Sequence, residues 1–171
     1  MSGMQKVGMF NLPHHEFEYL WNQSKKAISK GDLDAAKVIQ KKGADLFVHI
    51  DIAAEKGFFN IVKHIEDSYQ LRSHSWENCL HGAAKGGQLE IFKYAESKGV
   101  SDSSIQDSAA HAARRGHFNI VKHIISGGCI LANYYIGSAQ EGRHEEIYKY
   151  CIDNCGLTSV PWDRDYFDKF C

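Results

Sequence analysis

The segment GHFNIVKHI at 116–124 nearly duplicates GFFNIVKHI at 57–65, and weaker copies recur as GDLDAAKVI from Gly31, GQLEIFKYA from Gly87 and RHEEIYKYC from Arg143. One lysine marks the same place in each copy, at 37, 63, 93, 122 and 149, giving steps of 26, 30, 29 and 27 residues. A period in this range predicts units too small to bury their apolar faces alone, which must stack on their neighbours. Function is then expected on a surface.

Each unit reads as two short helices. In SIQDSAAHAARRGHFNIVKHIISGGC, Ser104 is placed to cap a helix containing Ala109, Ala110, Ala112 and Ala113, strong helix formers small enough for close packing. Gly116 breaks that helix. A second begins near His117, where Phe118, Ile120, Val121, Ile124 and Ile125 form one inward stripe at i, i+3 and i+4 and Lys122 faces out. Gly127 and Gly128 end it, since either takes positive φ at little steric cost. The pattern repeats in Ile52, Ala53, Ala54, Gly57, Phe59, Ile61, Val62 and Ile65, and in Leu80, Ala83, Ala84, Gly87, Leu89, Ile91 and Phe92.

At these residues, HGAAKGGQLEIFKYAESKG at 81–99 and HAARRGHFNIVKHIISGG at 111–128 resemble ankyrin repeats, a family with a Thr-Pro-Leu-His start, two alanines, a Gly-His turn, Ile-Val-Lys and a closing Gly-Ala-Asp. Leu80, His81, Ala83, Ala84 and Gly87, Gly116 and His117, and Gly43, Ala44 and Asp45 carry the likeness over about residues 24–156. No unit keeps Thr-Pro, the fifth has Arg143 in place of the turn glycine, and the steps fall short of the family's roughly 33 residues. The short connection at Leu46 and Phe47 implies that the family's β-hairpin finger is cut down or absent there, whereas connections at 67–77 and 99–104 have the length to project. Compressed repeats of this kind resemble those of large DNA viruses and amoeba-dwelling microbes.

The resemblance implies an all-α, ankyrin-type helix-turn-helix solenoid of about five repeats, in one domain, with helical caps covering both raw ends. Residues 1–13 read as a flexible N-terminus, 14–45 as the N-terminal cap and first repeat, 46–156 as four further repeats and 157–171 as a C-terminal capping helix. In the first cap Phe17, Leu20, Trp21 and Ile28 share a side while Glu16, Glu18, Lys25 and Lys26 stay wet. The last carries Ser159 as N-cap, Pro161 in the first turn, and Trp162, Tyr166, Phe167 and Phe170 as apolar contacts. Its alternative is a peptide that docks another protein.

Twenty Lys and Arg against 21 Asp and Glu give a formal charge of −1, which favours neither a nucleic acid nor a membrane surface. No stretch approaches 18 apolar residues and no secretion signal opens the chain, so a cytoplasmic protein with free thiols is expected. Cys151, Cys155 and His144 make the single local hint of zinc, but Cys151 fills the slot of Ala95 and Ile124, which suits a core cysteine. No phosphate loop, nucleophile elbow or His-Glu-x-x-His occurs, so no enzyme activity and no cofactor are expected. His81 and His117 are assigned to hydrogen bonds of the turn, and the lysine row to a solvated face neutralised by Glu66, Glu90, Glu96, Glu145 and Glu146.

The resemblance places partner-facing positions just before each turn and at the tips of the connections. They are Glu55, Lys56, Lys85, Arg114, Arg115 and Glu141 at the turns, and His74, Trp76, Glu77, Gln106, Asn133 and Tyr134 at the tips. Trp76 stands out as an indole on a projecting loop, in keeping with the aromatic enrichment of binding hot spots. The expected function is a stand-alone adaptor or inhibitor, by default monomeric, that binds another protein through a concave groove. The alternative is a substrate-recruiting subunit that docks a larger complex through its aromatic C-terminal helix.

Overall fold

The computed structural model describes residues 12–128 and 132–155, without the side chains of 132–134. Among these residues there are ten α-helices, one 3-10 turn and no strand. The helices are α1 (His14–Ser29), α2 (Leu33–Lys41), α3 (Ile50–Glu55), α4 (Phe59–Ser68), α5 (Ser73–Gly86), α6 (Leu89–Glu96), α7 (Asp102–Arg114), α8 (Phe118–Ser126), α9 (Ala132–Glu141) and α10 (Glu145–Asn154), with the 3-10 turn at Leu46–His49. Each odd-numbered helix pairs with the even one that follows it, and α1, α3, α5, α7 and α9 pack on one another in chain order. On the other side α8 touches both α6 and α10.

The link within each pair is the same turn made five times. The amide after the turn residue donates to a carbonyl five residues back, from Asp32, Phe58, Gln88, His117 and His144 to Ala27, Ala53, Ala83, Ala112 and Ala139, at 3.0, 2.9, 2.9, 2.9 and 2.8 Å. This satisfies helix-end carbonyls by the Schellman pattern and needs a left-handed residue at the turn. Gly31, Gly57, Gly87 and Gly116 supply it with φ of 74, 79, 71 and 79°, and Arg143 takes φ 60° in the last pair.

The same glycines are where consecutive pairs meet. A Cβ on Gly31, Gly57, Gly87 or Gly116 would lie 2.6, 2.7, 2.6 or 2.5 Å from the side chain of Phe58, Gln88, His117 or His144, the residue after the next turn. Those four residues stand at helix N-caps without a side-chain capping bond: Phe58 has no acceptor, and the side chains of Gln88, His117 and His144 cover the preceding turn. Where no covering is needed, a local cap returns: Asp32 accepts from Ala35 N at 2.9 Å.

Even helices are cross-linked by a second periodic contact. In three of the pairs the residue after the marker lysine bonds to the preceding pair: His64 to Gln40 (2.8 Å), Tyr94 to Glu66 (2.5 Å) and His123 to Glu96 (2.7 Å). Beneath them runs a continuous apolar core through Ile28, Leu46, Ile50, Ile61, Ile65, Leu80, Phe92, Ile120, Tyr135 and Ile147. Burying each such side chain contributes about 1.5–3 kcal/mol.

Several expectations change. The 67–77 and 99–104 connections do not project, since α5 starts at Ser73 and α7 at Asp102. Trp76 is corrected from a tip residue to a core residue, 5% exposed, its ring 5.8 Å from Tyr94. The cause is helical spacing, which makes Trp76, Cys79, Leu80 and Ala83 one inward stripe. Ser101, not Ser104, caps α7, accepting from Ser104 N at 3.3 Å. The N-terminal cap is simply α1, the partner of α2. Of the 1–13 segment only Leu12 and Pro13 are described, and the proposed helix at 157–171 lies outside the described residues.

Glycines inside helices set how closely the odd helices approach. A Cβ on Gly82 or Gly86 of α5 would come within 2.2 or 1.9 Å of the Asp51 or Glu55 carbonyl oxygen on α3. Gly86→Ala should therefore destabilise the chain by about 1–3 kcal/mol. Gly137→Ala, in open space on α9, should stabilise it by about 0.5–1 kcal/mol. Urea melts of both variants check the contrast; equal shifts would refute the close-approach account.

His49 is buried at 2% exposure, its Nε2–H donating to the Trp21 carbonyl at 3.2 Å. Burial lowers its pKa below 6.5 against the opposing Trp21 bond and Asp51. Below pH 6.5 the unfolded chain binds a proton that the folded ring resists, so this stability is full above 6.5 and is lost as pH falls through the folded value. The thermal midpoint should drop between pH 7.5 and 5.5, and His49→Gln should flatten that slope in calorimetry.

Candidate functional site

The closely packed α3, α5 and α7 leave an open groove of about 430 Å³ on their outer side. Its lining is Asp51 and Glu55 from α3, Asn78, His81, Gly82 and Lys85 from α5, and Asp107, Ala110, His111 and Arg114 from α7. The sets 78, 81, 82, 85 and 107, 110, 111, 114 both run i, i+3, i+4, i+7, so each helix presents one polar stripe opposite its apolar one. Gly82 and Ala110 form a floor without bulk, and charged or imidazole groups make the walls.

His81 bridges two helices, with Nδ1 2.8 Å from the buried Ser108 hydroxyl, and its ring centre lies 6.1 Å from that of His111. Burial lowers the His81 pKa, Lys85 adding to the shift while Asp107 and Glu77 oppose it. Burial also lowers His111, and there Lys85, His81, Arg114 and Arg115 all push the same way. Both rings are thus held towards the neutral form at pH 7. The Asp51 and Asp107 carboxylates, the Lys85 ammonium and the His111 ring find no hydrogen-bond or ion-pair partner among the described residues.

Of the residues singled out by sequence, Glu55, Lys85 and Arg114 line this groove. Arg115 closes over it, donating to Glu55 at 3.3 Å and to the Lys85 carbonyl at 3.2 Å, and Glu141 pairs with Arg114 at 2.6 Å. Lys56 is exposed at the turn. The tip residues separate from the site. His74 borders a different depression with Phe47, Tyr69 and Arg72, and Glu77 accepts from Ser101 at 2.9 Å. Gln106 lies with Glu96, Asp102 and His123 between α6, α7 and α8. Asn133 and Tyr134 belong to α9, and their side chains lie outside the described residues.

Asp51, Asn78, His81, Asp107 and His111 also form the wall, outside the positions expected from the sequence. Their signal in the sequence is the polar i, i+3, i+4, i+7 spacing that runs beside the apolar stripe. His81 is corrected from a turn residue to a groove residue. His117 does serve the turn, donating from Nε2 to the Lys85 carbonyl at 2.9 Å.

Away from the groove two of the five marker lysines are matched. Lys63 lies 3.7 Å from Glu66 and 3.6 Å from the Tyr94 ring centre, and Lys149 lies 2.7 Å from Glu145. Desolvation pushes the Glu66 carboxyl up, but hydrogen bonds from Lys98 and Tyr94 outweigh it and leave the pKa lowered. Cys151 is buried with its thiol pushed up to about 12, and His144 Nε2 donates to the Arg114 carbonyl at 3.0 Å. Among the described residues no three His, Cys, Asp or Glu side chains cluster to hold a metal, and no helix is long and apolar enough to cross a membrane.

Because Lys85 presses on both imidazoles, Lys85→Ala should raise the His81 and His111 pKa values, each of which should start below 6.5 in the parent chain. A proton NMR titration of the ring signals reads both, and unmoved values would remove Lys85 from the groove's electrostatics. No protein-family model matches the chain, and no curated protein is detectably similar to it.

Proposed function

We propose that the five helix pairs are an ankyrin-type solenoid and that the chain is a protein-interaction module, an adaptor or inhibitor that occupies its partner through the groove of α3, α5 and α7. Three features support this reading. The turn, the two-alanine step and the covered glycine recur in register. The groove floor is rigid, since α3 and α5 meet through backbone at Gly82 and Gly86. The observation that carries most weight is the wall itself: Asp51, Lys85, Asp107 and His111 are held on regular helices without partners of their own. Polar groups without internal partners around a small-residue floor suit recognition of another surface, because engaging them breaks no bond within the chain.

A photo-crosslinking residue placed at Asn78 should trap a discrete partner in the source cell, whereas the same residue at Lys93, on the even-helix side, should not. Charge reversal by Lys85→Glu with Arg114→Glu should abolish the crosslink while circular dichroism stays unchanged. Equal trapping from both faces would overturn the groove as the contact surface.

A further inference from the structure

The groove's charge leans positive on one edge and negative on the other, the turn edge holding four cations against Glu55 and Glu141. Lys56, Lys85, Arg114 and Arg115 stand on the turn side, at or just past the C-terminal ends of α3, α5 and α7, while Asp51 and Asp107 lie one to two turns earlier in their helices. His81 and His111 sit between the two edges. The two arginines already hold carboxylates that the chain supplies itself, Glu55 on Arg115 at 3.3 Å and Glu141 on Arg114 at 2.6 Å. Both pairs are about half exposed, so each is worth at most about 1 kcal/mol and exchanges readily. Lys56, Lys85 and His111 lack even that internal counterpart among the described residues.

We infer that the groove receives an acidic peptide segment of its partner, whose carboxylates engage Lys85, His111 and Arg114 across adjacent helix pairs. The inference rests on the reading of the groove as a protein-contact surface. Neighbouring helices lie about 8–10 Å apart, and a polyproline-II segment advances about 3.1 Å per residue with three residues per turn, so acidic residues spaced three apart share one face and match successive pairs. A nucleic-acid backbone fits less well, because Asp51 and Asp107 face the same channel and repel a continuous row of phosphates.

The site also couples binding to protons. The charged groups facing the two imidazoles are Asp51 and Glu55 of α3, Glu77 and Lys85 of α5, Asp107, Arg114 and Arg115 of α7, and Glu141 at the end of α9. In the free groove burial first, and then the neighbouring Lys85, Arg114 and Arg115, lower the pKa of His111. A partner carboxylate reverses that balance, so binding takes up a proton and tightens as pH falls, until the peptide's own carboxylates protonate near their usual value of about 4.3.

The test uses the full chain and fluorescein-labelled nonapeptides in a Gly/Ser background, with Glu at positions 1, 4 and 7 or with Gln there, read by anisotropy beside a nine-base thymidine oligonucleotide. The Glu peptide should bind at least about tenfold more tightly than the Gln peptide and the oligonucleotide. Its affinity should rise about tenfold from pH 7.5 to 5.5. Lys85→Ala should weaken it at both pH values, and His111→Gln, which breaks no hydrogen bond, should remove most of the pH dependence. No binding of the Glu peptide, equal binding of the Gln peptide, preference for the oligonucleotide or a flat pH profile would each overturn the inference. A crosslink from Asn78 together with a silent Glu peptide would sink the acidic ligand alone, whereas an Asn78 site that traps nothing would sink the contact surface itself.

Discussion

Each turn glycine is touched by the residue that follows the next turn, and most of the architecture depends on that contact. Gly87 needs positive φ for its own helix end and has no room for a Cβ because the His117 ring lies against it. One residue thus answers a local demand and an inter-pair demand together. None of the four covering side chains accepts a capping bond, so these helix starts go without the stabilisation that an Asp or Ser there would add. His117 and His144 add a hydrogen bond to the carbonyl of Lys85 or Arg114, tying the turn to the odd helix of the preceding pair. Arg143 is instructive because φ of 60° costs a non-glycine residue about 1–2 kcal/mol. It occurs at the fifth turn, beyond which no further helix pair is described.

The groove is a consequence of packing on that frame. Gly82 and Gly86 bring α5 onto the α3 backbone, so polar stripes that would otherwise be separate become walls of one channel. Burial between the close-packed helices pushes the protonation of both imidazoles down and Lys85 adds to it, while the carboxylates of Glu55 and Glu141 neutralise the arginines at the rim. The even helices use the same chemical vocabulary for another purpose. His64, Tyr94 and His123 are each matched to an acceptor on the neighbouring pair, which ties the even helices together.

Trp76 shows where reading along the chain fails. An indole between two apolar runs looks like a tip residue when helix boundaries are set by the alanines that follow it. Extending the count one turn upstream places it at i−3 from Cys79 and i−4 from Leu80, in the buried stripe. His81 was misassigned for a related reason: its neighbours in sequence suggested a turn, while its bonding partner, Ser108, is 27 residues away. By contrast, Glu55, Lys85, Arg114, Arg115 and Glu141 were legible because each lies one or two residues before the turn residue, and of these Glu55, Lys85 and Arg114 line the groove.

The sequence by itself determined the helix pairs, their order, the turns and the stripe each helix buries. Those properties follow from residues within one or two helical turns of each other, where spacing alone fixes which side chains share a face. Only the tertiary structure decided which polar stripes face a common channel, which charges are already paired and which histidines are held neutral. Those depend on distances between helices, set here by two glycines of α5 against carbonyl oxygens of α3, and no periodicity within a single segment encodes that separation.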